Sequence, residues 1–312
     1  MAESFDAVII GGGPAGLSAA VYTGRAEMKT VILERAVLGG QVALTHAIDN
    51  YPGFPEGIDG PKLTELMAAQ CKRFGAEIRS EEVKRIDTDG LIKSVTTAEN
   101  VYQTPVIILA MGADPRKLGV PGEEELRGRG VSYCGTCDAP FFRDKRVVVV
   151  GGGDTALKEG LYITKFASEV TLVHRRQGFR AEKVYLAEAR ENKTMRFELD
   201  AVVTRVNGEA KVESITTRNV KTNEEKDLPC DGVFIFIGTV PNTGFMPDLC
   251  GVDEGGHVST DLDMMTCTPG IFAVGDVRKN SYRQVGTAVG EGVTAAMAAE
   301  HWLSKQRAEG AL

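Results

Sequence analysis

Cys134 and Cys137 stand three positions apart in the stretch YCGTCDAPFF, and Asp138 follows the second of them. Thiols at this spacing serve three chemistries: half of a zinc site, a structural disulfide, or a dithiol that takes up two electrons and hands them on. Zinc asks for four ligands, as a rule in two close pairs. The other cysteines, Cys71, Cys230, Cys250 and Cys267, are scattered, and His46, His174, His257 and His301 make no ligand-spaced pair, so no metal is expected. The choice between an inert pair and a redox dithiol turns on what else the chain carries. In a dithiol Asp138 has a task, because leaving thiolates need an acid–base group close to the sulfurs. The bland alternative for Asp138 is a helix N-cap or first-turn acid.

Residues 5–10 form a short apolar run, followed by GGGPAG, an alanine-rich helical stretch to about residue 26, and a second apolar run at 30–33 closed by Glu34. Strand, glycine turn, helix, strand is the βαβ unit of a parallel sheet. Gly11, Gly13 and Gly16 have the GxGxxG spacing. The first permits a tight turn, the second lets the backbone approach a pyrophosphate, and the third lets helix and strand pack closely. The helix start presents unpaired N–H groups and a positive dipole end to phosphate. A carboxylate at Glu34 accepts hydrogen bonds from ribose hydroxyls and repels a 2'-phosphate, so this site suits an unphosphorylated dinucleotide such as FAD or NAD.

The pattern recurs. Residues 146–150 are an apolar β-branched run, then come GGGDTA, a helical stretch to about residue 165, and a strand at 169–173 closed by HRR. Gly151, Gly153 and Ala156 match the GxGxxA variant. Here cations replace the carboxylate: His174, Arg175, Arg176 and, four residues on, Arg180. Guanidinium forks bind phosphate bidentately, so this site should prefer NADPH to NADH. One glycine fingerprint is a weak signal, but two in one chain, each between strand and helix, make a strong one. The competing readings are a nucleotide-free Rossmann-like fold and, for the arginines, a solvated basic loop. With two dinucleotide sites of opposite ribose chemistry, the CxxC reads most simply as a redox dithiol fed by a flavin and a nicotinamide.

Other elements must hold these groups in place. Between the two units lie an amphipathic stretch at 60–74, strands, and VIILAMGADP; beyond the second come strands and VFIFIGTVPNT. Both of these apolar runs stop at glycine with proline close behind and read as crossings between two domains. The chain then runs through GIFAVGDV into a helix from about 285 to 303, and its last residues are polar and expected to fray. A length of 312 residues suits two domains, and 36 glycines against 12 prolines suit many tight strand-to-helix turns. The net charge of −7 argues against nucleic acid or an anionic membrane as main partner. No apolar run is long enough to span a bilayer, and MAESFDAVII lacks the basic start of a signal peptide. Six cysteines with one close pair are not a secreted disulfide scaffold, and the compartment reads as cytosolic and reducing.

As a set, GGGPAG, GGQ at 39–41, NYPG at 50–53, CGTCD, GGGDTA, HRRQGFRAEK, GTVPNT, GIFAVGDV and YRQV resemble the low-molecular-weight, bacterial-type thioredoxin reductases over nearly the whole chain. The resemblance implies an α/β fold of two Rossmann-like, three-layer ββα dinucleotide-binding domains, the second inserted into the first. An FAD domain would comprise 1–115 and 243–312, and an NADPH domain carrying the CxxC would be 116–242. It implies a cytoplasmic homodimer that reduces thioredoxin. Cys137 would face the flavin, Cys134 would attack the thioredoxin disulfide, and Asp138 would supply the proton. FAD would be held by Gly11, Gly13, Pro14, Ala15, Gly16, Glu34, Gly40, Gln41, Asn50, Gly112, Gly275, Asp276, Arg283, Gln284 and Val285. NADPH would be held by Gly151, Gly153, Asp154, Thr155, Ala156, His174, Arg175, Arg176 and Arg180.

Phe141, Phe142 and Arg129 resemble a thioredoxin-docking surface, with core packing as the alternative for the phenylalanines. Nicotinamide and dithiol must both reach the flavin, which implies hinges near 112–117 and 238–243. Met111 departs from relatives that often carry threonine there, which puts one local hydrogen bond in question. Glu34 together with the arginines speaks against ferredoxin-dependent and nicotinamide-independent relatives. A ferredoxin–NADP reductase should lack the CxxC. Reduction of a different small disulfide protein, oxidation of dithiols by oxygen, and a nucleotide sensor without turnover are the remaining alternatives.

Overall fold

The computed structural model describes residues 2–45, 48–246 and 251–312, so His46 and Cys250 lie outside the described residues. The chain divides into two compact units, Met1–Asp114 with Val240–Leu312, and Pro115–Thr239.

In the first unit the apolar runs form a five-stranded parallel sheet. Its strand order is Ile271–Ala273, Val106–Leu109, Ala7–Ile10, Thr30–Glu34, Glu77–Ser80. The central strands are apolar at nearly every position because both faces are covered. Alternate side chains divide between the faces. Ala7 and Ile9 pack with Leu17, Ala20, Ala295 and Ala299 of the helices Pro14–Arg25 and Val285–Ala308. Val8 and Ile10 pack with Val83, Val95 and Tyr102 of a four-stranded sheet formed by Glu3–Ser4, Val101–Thr104, Lys93–Thr97 and Val83–Asp87. Each buried aliphatic side chain contributes about 1.5–3 kcal/mol. The amphipathic stretch becomes the helix Gly60–Arg73, whose first turn is capped by Asp59 accepting from the Lys62 N–H at 3.3 Å.

The C-terminal helix is longer than its apolar pattern predicts. It runs over 24 residues, Val285–Ala308, past the expected end near 303. Polar contacts extend it: the Ser304 hydroxyl donates to Glu300 Oε1 at 2.8 Å, and Arg307 pairs with Asp6. Its small residues let it lie against the Pro14–Arg25 helix, and a methyl group on Gly292 would sit 2.2 Å from the Ala15 carbonyl.

The second unit repeats the plan. A five-stranded parallel sheet runs Val131–Ser132, Gly232–Ile235, Arg146–Val150, Glu169–His174, Met195–Leu199. The helices Asp154–Ile163 and Lys183–Glu191 cover one face. An antiparallel sheet of Ala201–Asn207, Ser214–Asn219 and Glu225–Pro229 covers the other. The short edge strand Val131–Ser132 leads directly into Cys134. The crossing segments pair through Ala113–Pro115 and Thr239–Pro241. Asn242 bonds to the carbonyls of Gly112 and Met111, at 3.1 and 3.0 Å. Met111 therefore engages through its backbone while its side chain packs on the core.

Candidate active site

The first glycine turn is built for close approach. Gly11 has a φ of +104°, and a Cβ there would lie 2.4 Å from the Ala110 carbonyl; one on Gly16 would lie 2.0 Å from the Gly11 carbonyl. Gly13 differs: a Cβ would meet no protein atom within 4 Å. The helix Pro14–Arg25 starts here with Gly13 at its N-cap and no side-chain cap, so its first N–H groups point outward from the turn. Glu34 ends the neighbouring strand and turns its carboxylate back, accepting from the N–H of Gly12 at 2.7 Å and of Ala36 at 2.8 Å. These bonds fix its direction and leave lone pairs on both oxygens.

Residues distant in sequence gather at this turn. The Gly39 N–H donates to the Gly12 carbonyl at 2.8 Å, and the Cβ position of Gly40 lies 3.6 Å from the Gly13 Cα. That of Gly275 lies 3.2 Å from the Ala15 Cβ. Asn50 donates to Gln284 Oε1 at 3.1 Å, across 234 residues of chain, and Gln284 is the N-cap residue before Val285. Arg283 holds a left-handed φ of +55°. Gln41 donates to Asp114 Oδ1 at 2.8 Å. Asp276 sits in the turn Gly275–Val277, where burial pushes its carboxyl above the usual carboxylate range.

The second turn has the same design. A Cβ on Gly151 would lie 2.4 Å from the Phe236 carbonyl, Ala156 is fully buried, and a Cβ on Gly153 would meet nothing within 4 Å. His174 packs over Gly152, bonds through Nε2 to the Gly178 carbonyl at 3.1 Å, and stacks on Phe179 with centroids 4.9 Å apart. Burial holds the His174 imidazole below its ordinary value, and the charges of Arg175, Arg176 and Arg180 push the same way. The Arg180 N–H donates to the Gly152 carbonyl at 3.0 Å, so the exposed cations flank the turn. Asp154 accepts from the Glu182 N–H at 2.8 Å, and Thr155 is exposed beside it.

In the same unit Cys134 and Cys137 form a disulfide. Cys134 is half-buried and is the N-cap of the short helix Gly135–Asp138, its Sγ accepting from the Cys137 N–H at 3.2 Å; Cys137 is exposed. Asp138 caps no helix through its side chain. Its Oδ2 instead accepts from the Ser132 hydroxyl at 2.6 Å, and burial pushes its carboxyl upward. Cys71 and Cys230 are buried free thiols pushed up to about 12, far from thiolate at neutral pH.

A family model described as pyridine nucleotide-disulphide oxidoreductase matches residues 5–292. The chain is 45% identical to the thioredoxin reductase of Treponema pallidum over 303 residues, 97% of this chain and 98% of that one. It is 44% identical to that of Bacillus subtilis, covering 96% and 95%. The crystal structure of thioredoxin reductase from Streptococcus pyogenes superposes with a TM-score of 0.92 at 43% identity, covering 98% and 100%. The chain belongs to the pyridine nucleotide-disulphide oxidoreductase family. Within it, the chain groups with the low-molecular-weight thioredoxin reductases.

Three carboxylates at these sites escaped the motif reading. Glu291, on the C-terminal helix, accepts from the Gly275 N–H at 2.7 Å and pairs with Arg278 at 2.5 Å, so it holds the turn that carries Asp276. Glu159 accepts from the Thr136 N–H at 2.9 Å and ties the CxxC to the Asp154–Ile163 helix. Glu123, 1% exposed, accepts from the N–H groups of Leu118 and Gly119 and from the Tyr133 hydroxyl at 2.8 Å, next to Cys134. Glu291 stands among small and apolar residues, whereas Glu123 opens a run of three glutamates and Glu159 follows Lys158, so no common sequence signal marks them. The phenylalanine pair separates: Phe142 packs edge-on to Phe234 at 5.1 Å, while Phe141 is 50% exposed. Arg129 is exposed.

Proposed function

We propose that the chain is an NADPH-dependent, FAD-containing reductase of thioredoxin disulfide. The observation that carries this reading is one unit that holds both a glycine turn flanked by three arginines and a disulfide with a half-buried acid beside it. Both turns fit a dinucleotide: Gly11, Gly16 and Gly151 are packed too tightly for a side chain, and the middle glycines Gly13 and Gly153 face open space where a phosphate would approach. Gly11, Gly13, Pro14, Ala15, Gly16 and Glu34 would hold FAD, with Gly40, Gln41, Asn50, Gly112, Gly275, Asp276, Arg283, Gln284 and Val285 around them. Gly151, Gly153, Asp154, Thr155, Ala156 and His174 would hold NADPH, with Arg175, Arg176 and Arg180 on its 2'-phosphate. When bound, the two cofactors supply the electron pair that opens the Cys134–Cys137 disulfide.

The chain's own residues do the rest. In the reduced form the Cys134 thiolate is steadied by the Cys137 N–H. It attacks one sulfur of the partner's disulfide; a mixed S–S bond forms, the partner's bond breaks, and the leaving sulfur takes the proton of Asp138. Asp138, now ionised, accepts the Cys137 thiol proton. The Cys137 thiolate attacks the Cys134 sulfur, re-forms the disulfide and releases the second partner sulfur as a thiolate. Burial favours the protonated carboxyl that the first step needs.

The likeness to bacterial relatives supports a cytoplasmic enzyme and a homodimer. No helix among the described residues is long and apolar enough to cross a membrane. The deciding experiment is NADPH-dependent reduction of a panel of disulfide proteins by the purified flavoprotein. Turnover with thioredoxin above the other members carries the reading. Reduction of another disulfide protein, or electron flow to oxygen alone, overturns it.

A further inference from the structure

Ser132 is 5% exposed at the end of the edge strand and stands at a junction of three polar groups. Its Oγ accepts from the Cys134 N–H at 3.1 Å. Its single proton has two acceptors in reach, Asp138 Oδ2 at 2.6 Å and the Cys134 carbonyl at 3.2 Å. A hydroxyl carries one donor and two lone pairs. One lone pair is committed to the Cys134 N–H, which leaves a proton and a lone pair to serve the other two partners. When Asp138 is ionised, the serine proton points at its carboxylate. When Asp138 is protonated, the acid donates to the free serine lone pair and the serine proton turns to the Cys134 carbonyl. The Cys134 carbonyl keeps the Asp138 N–H at 3.2 Å in both states, so the acid can lose and regain its proton without leaving that carbonyl or the serine proton unsatisfied, which is the costly outcome.

Resting on the reductase reading above, we infer that Ser132 is the positioning residue of the acid: a hydroxyl switch that holds Asp138 beside the CxxC in both protonation states and ties it to the Cys134 backbone. Other ionisable groups stand nearby. They are the two sulfurs, Glu159 from the Asp154–Ile163 helix on the Thr136 N–H, and Glu123 with Arg127 around Tyr133. Ser132 is the residue that bonds the Asp138 side chain. Removing its hydroxyl takes a charge-assisted bond from the ionised acid and only a neutral one from the protonated acid. The carboxyl must then hold its proton more tightly, by about one pH unit.

The test compares holoenzyme of wild type, Ser132→Ala, Ser132→Thr and Asp138→Asn. NADPH-driven reduction of oxidised thioredoxin is followed from acid to alkaline pH. The Asp138 carboxyl is titrated in parallel by carbon NMR of aspartate-labelled protein. The expected result is an Asp138 titration and an alkaline limb of the rate profile that both move up by about one unit in Ser132→Ala. Both should return to the wild-type position in Ser132→Thr, and the limb should be absent in Asp138→Asn. A Ser132→Ala protein that is slower at every pH with the Asp138 titration unmoved overturns the inference, because mere packing gives that result. If Ser132→Ala does not fold, Ser132→Thr alone decides: a titration displaced although the hydroxyl is kept overturns the switch, and an unmoved one supports it. Failure of wild type to consume NADPH overturns the reductase reading itself. The NMR titration separates that failure from this one.

Discussion

The middle glycine of the first turn offers a substitution whose effects on folding and on cofactor binding separate. Gly13 has φ −75° and ψ −178°, which alanine adopts without strain, and a Cβ there meets no protein atom within 4 Å. Gly13→Ala should cost folding only about 0.5–1 kcal/mol, since alanine is a poorer N-cap than glycine. The added methyl occupies the space through which a pyrophosphate approaches the helix start. Displacing a phosphate from one charge-assisted N–H bond forfeits about 1.5–3 kcal/mol. FAD affinity should therefore fall roughly 10- to 150-fold. Gly16→Ala is the contrast, because its Cβ would sit 2.0 Å from the Gly11 carbonyl and helix and strand must part. Overpacking of this kind costs about 1–3 kcal/mol or more, a fall of several degrees in melting temperature. The assay is thermal melting of flavin-free protein together with calorimetric titration of FAD. Wild-type FAD affinity in Gly13→Ala would refute the assignment of this turn to the pyrophosphate. So would an equal loss of flavin-free stability in the two variants.

Cys134→Ser and Cys137→Ser should each abolish NADPH-dependent thioredoxin turnover, while Cys71→Ser and Cys230→Ser, both buried thiols, should change stability alone; near-wild-type turnover in either CxxC variant makes the pair structural. Asp138→Asn should slow dithiol exchange by about 10²–10⁴-fold in single-turnover mixing with oxidised thioredoxin. Neutral residues at Arg175 and Arg176 should raise the KM for NADPH by roughly tenfold or more per lost phosphate bond and leave that for NADH little changed; steady-state kinetics with both nucleotides checks this. Lys93 tests linkage. It is 1% exposed, donates to the carbonyls of Leu91 and Pro105 at 3.0 Å each, and lies 5.2 Å from the Trp302 ring. Burial pulls its amine down to about 8, against about 10.4 in the unfolded chain. Between these values the unfolded chain binds the extra proton, so stability should rise with pH by about 1–3 kcal/mol, and Lys93→Met should remove that rise in urea melts at the two ends of the window.

Both βαβ units were legible in the residues because their information is local. Glycine spacing, an apolar strand before it and the residue closing the next strand all lie within about 30 residues. The continuous apolar runs fit strands of a parallel sheet covered on both faces, with Val8 and Ile10 packed on one side and Ala7 and Ile9 on the other. The spacing of Cys134, Cys137 and Asp138, read beside the two glycine fingerprints, was enough to propose a redox dithiol. What the acid bonds to was not readable, because serine is common and the 2.6 Å bond depends on how the chain turns from the Val131–Ser132 strand into the Gly135–Asp138 helix. Glu291 and Glu159 escaped for the same reason. Each serves a backbone N–H on another element, and a lone acid in a helix carries no sign of which turn will pack against it. The meeting of Asn50 with Gln284 across 234 residues was likewise settled by packing. Local pattern specifies strands, helices and turns, because backbone geometry depends on near neighbours. Which distant side chains satisfy one another is decided only when the layers close and every buried polar group must find a partner.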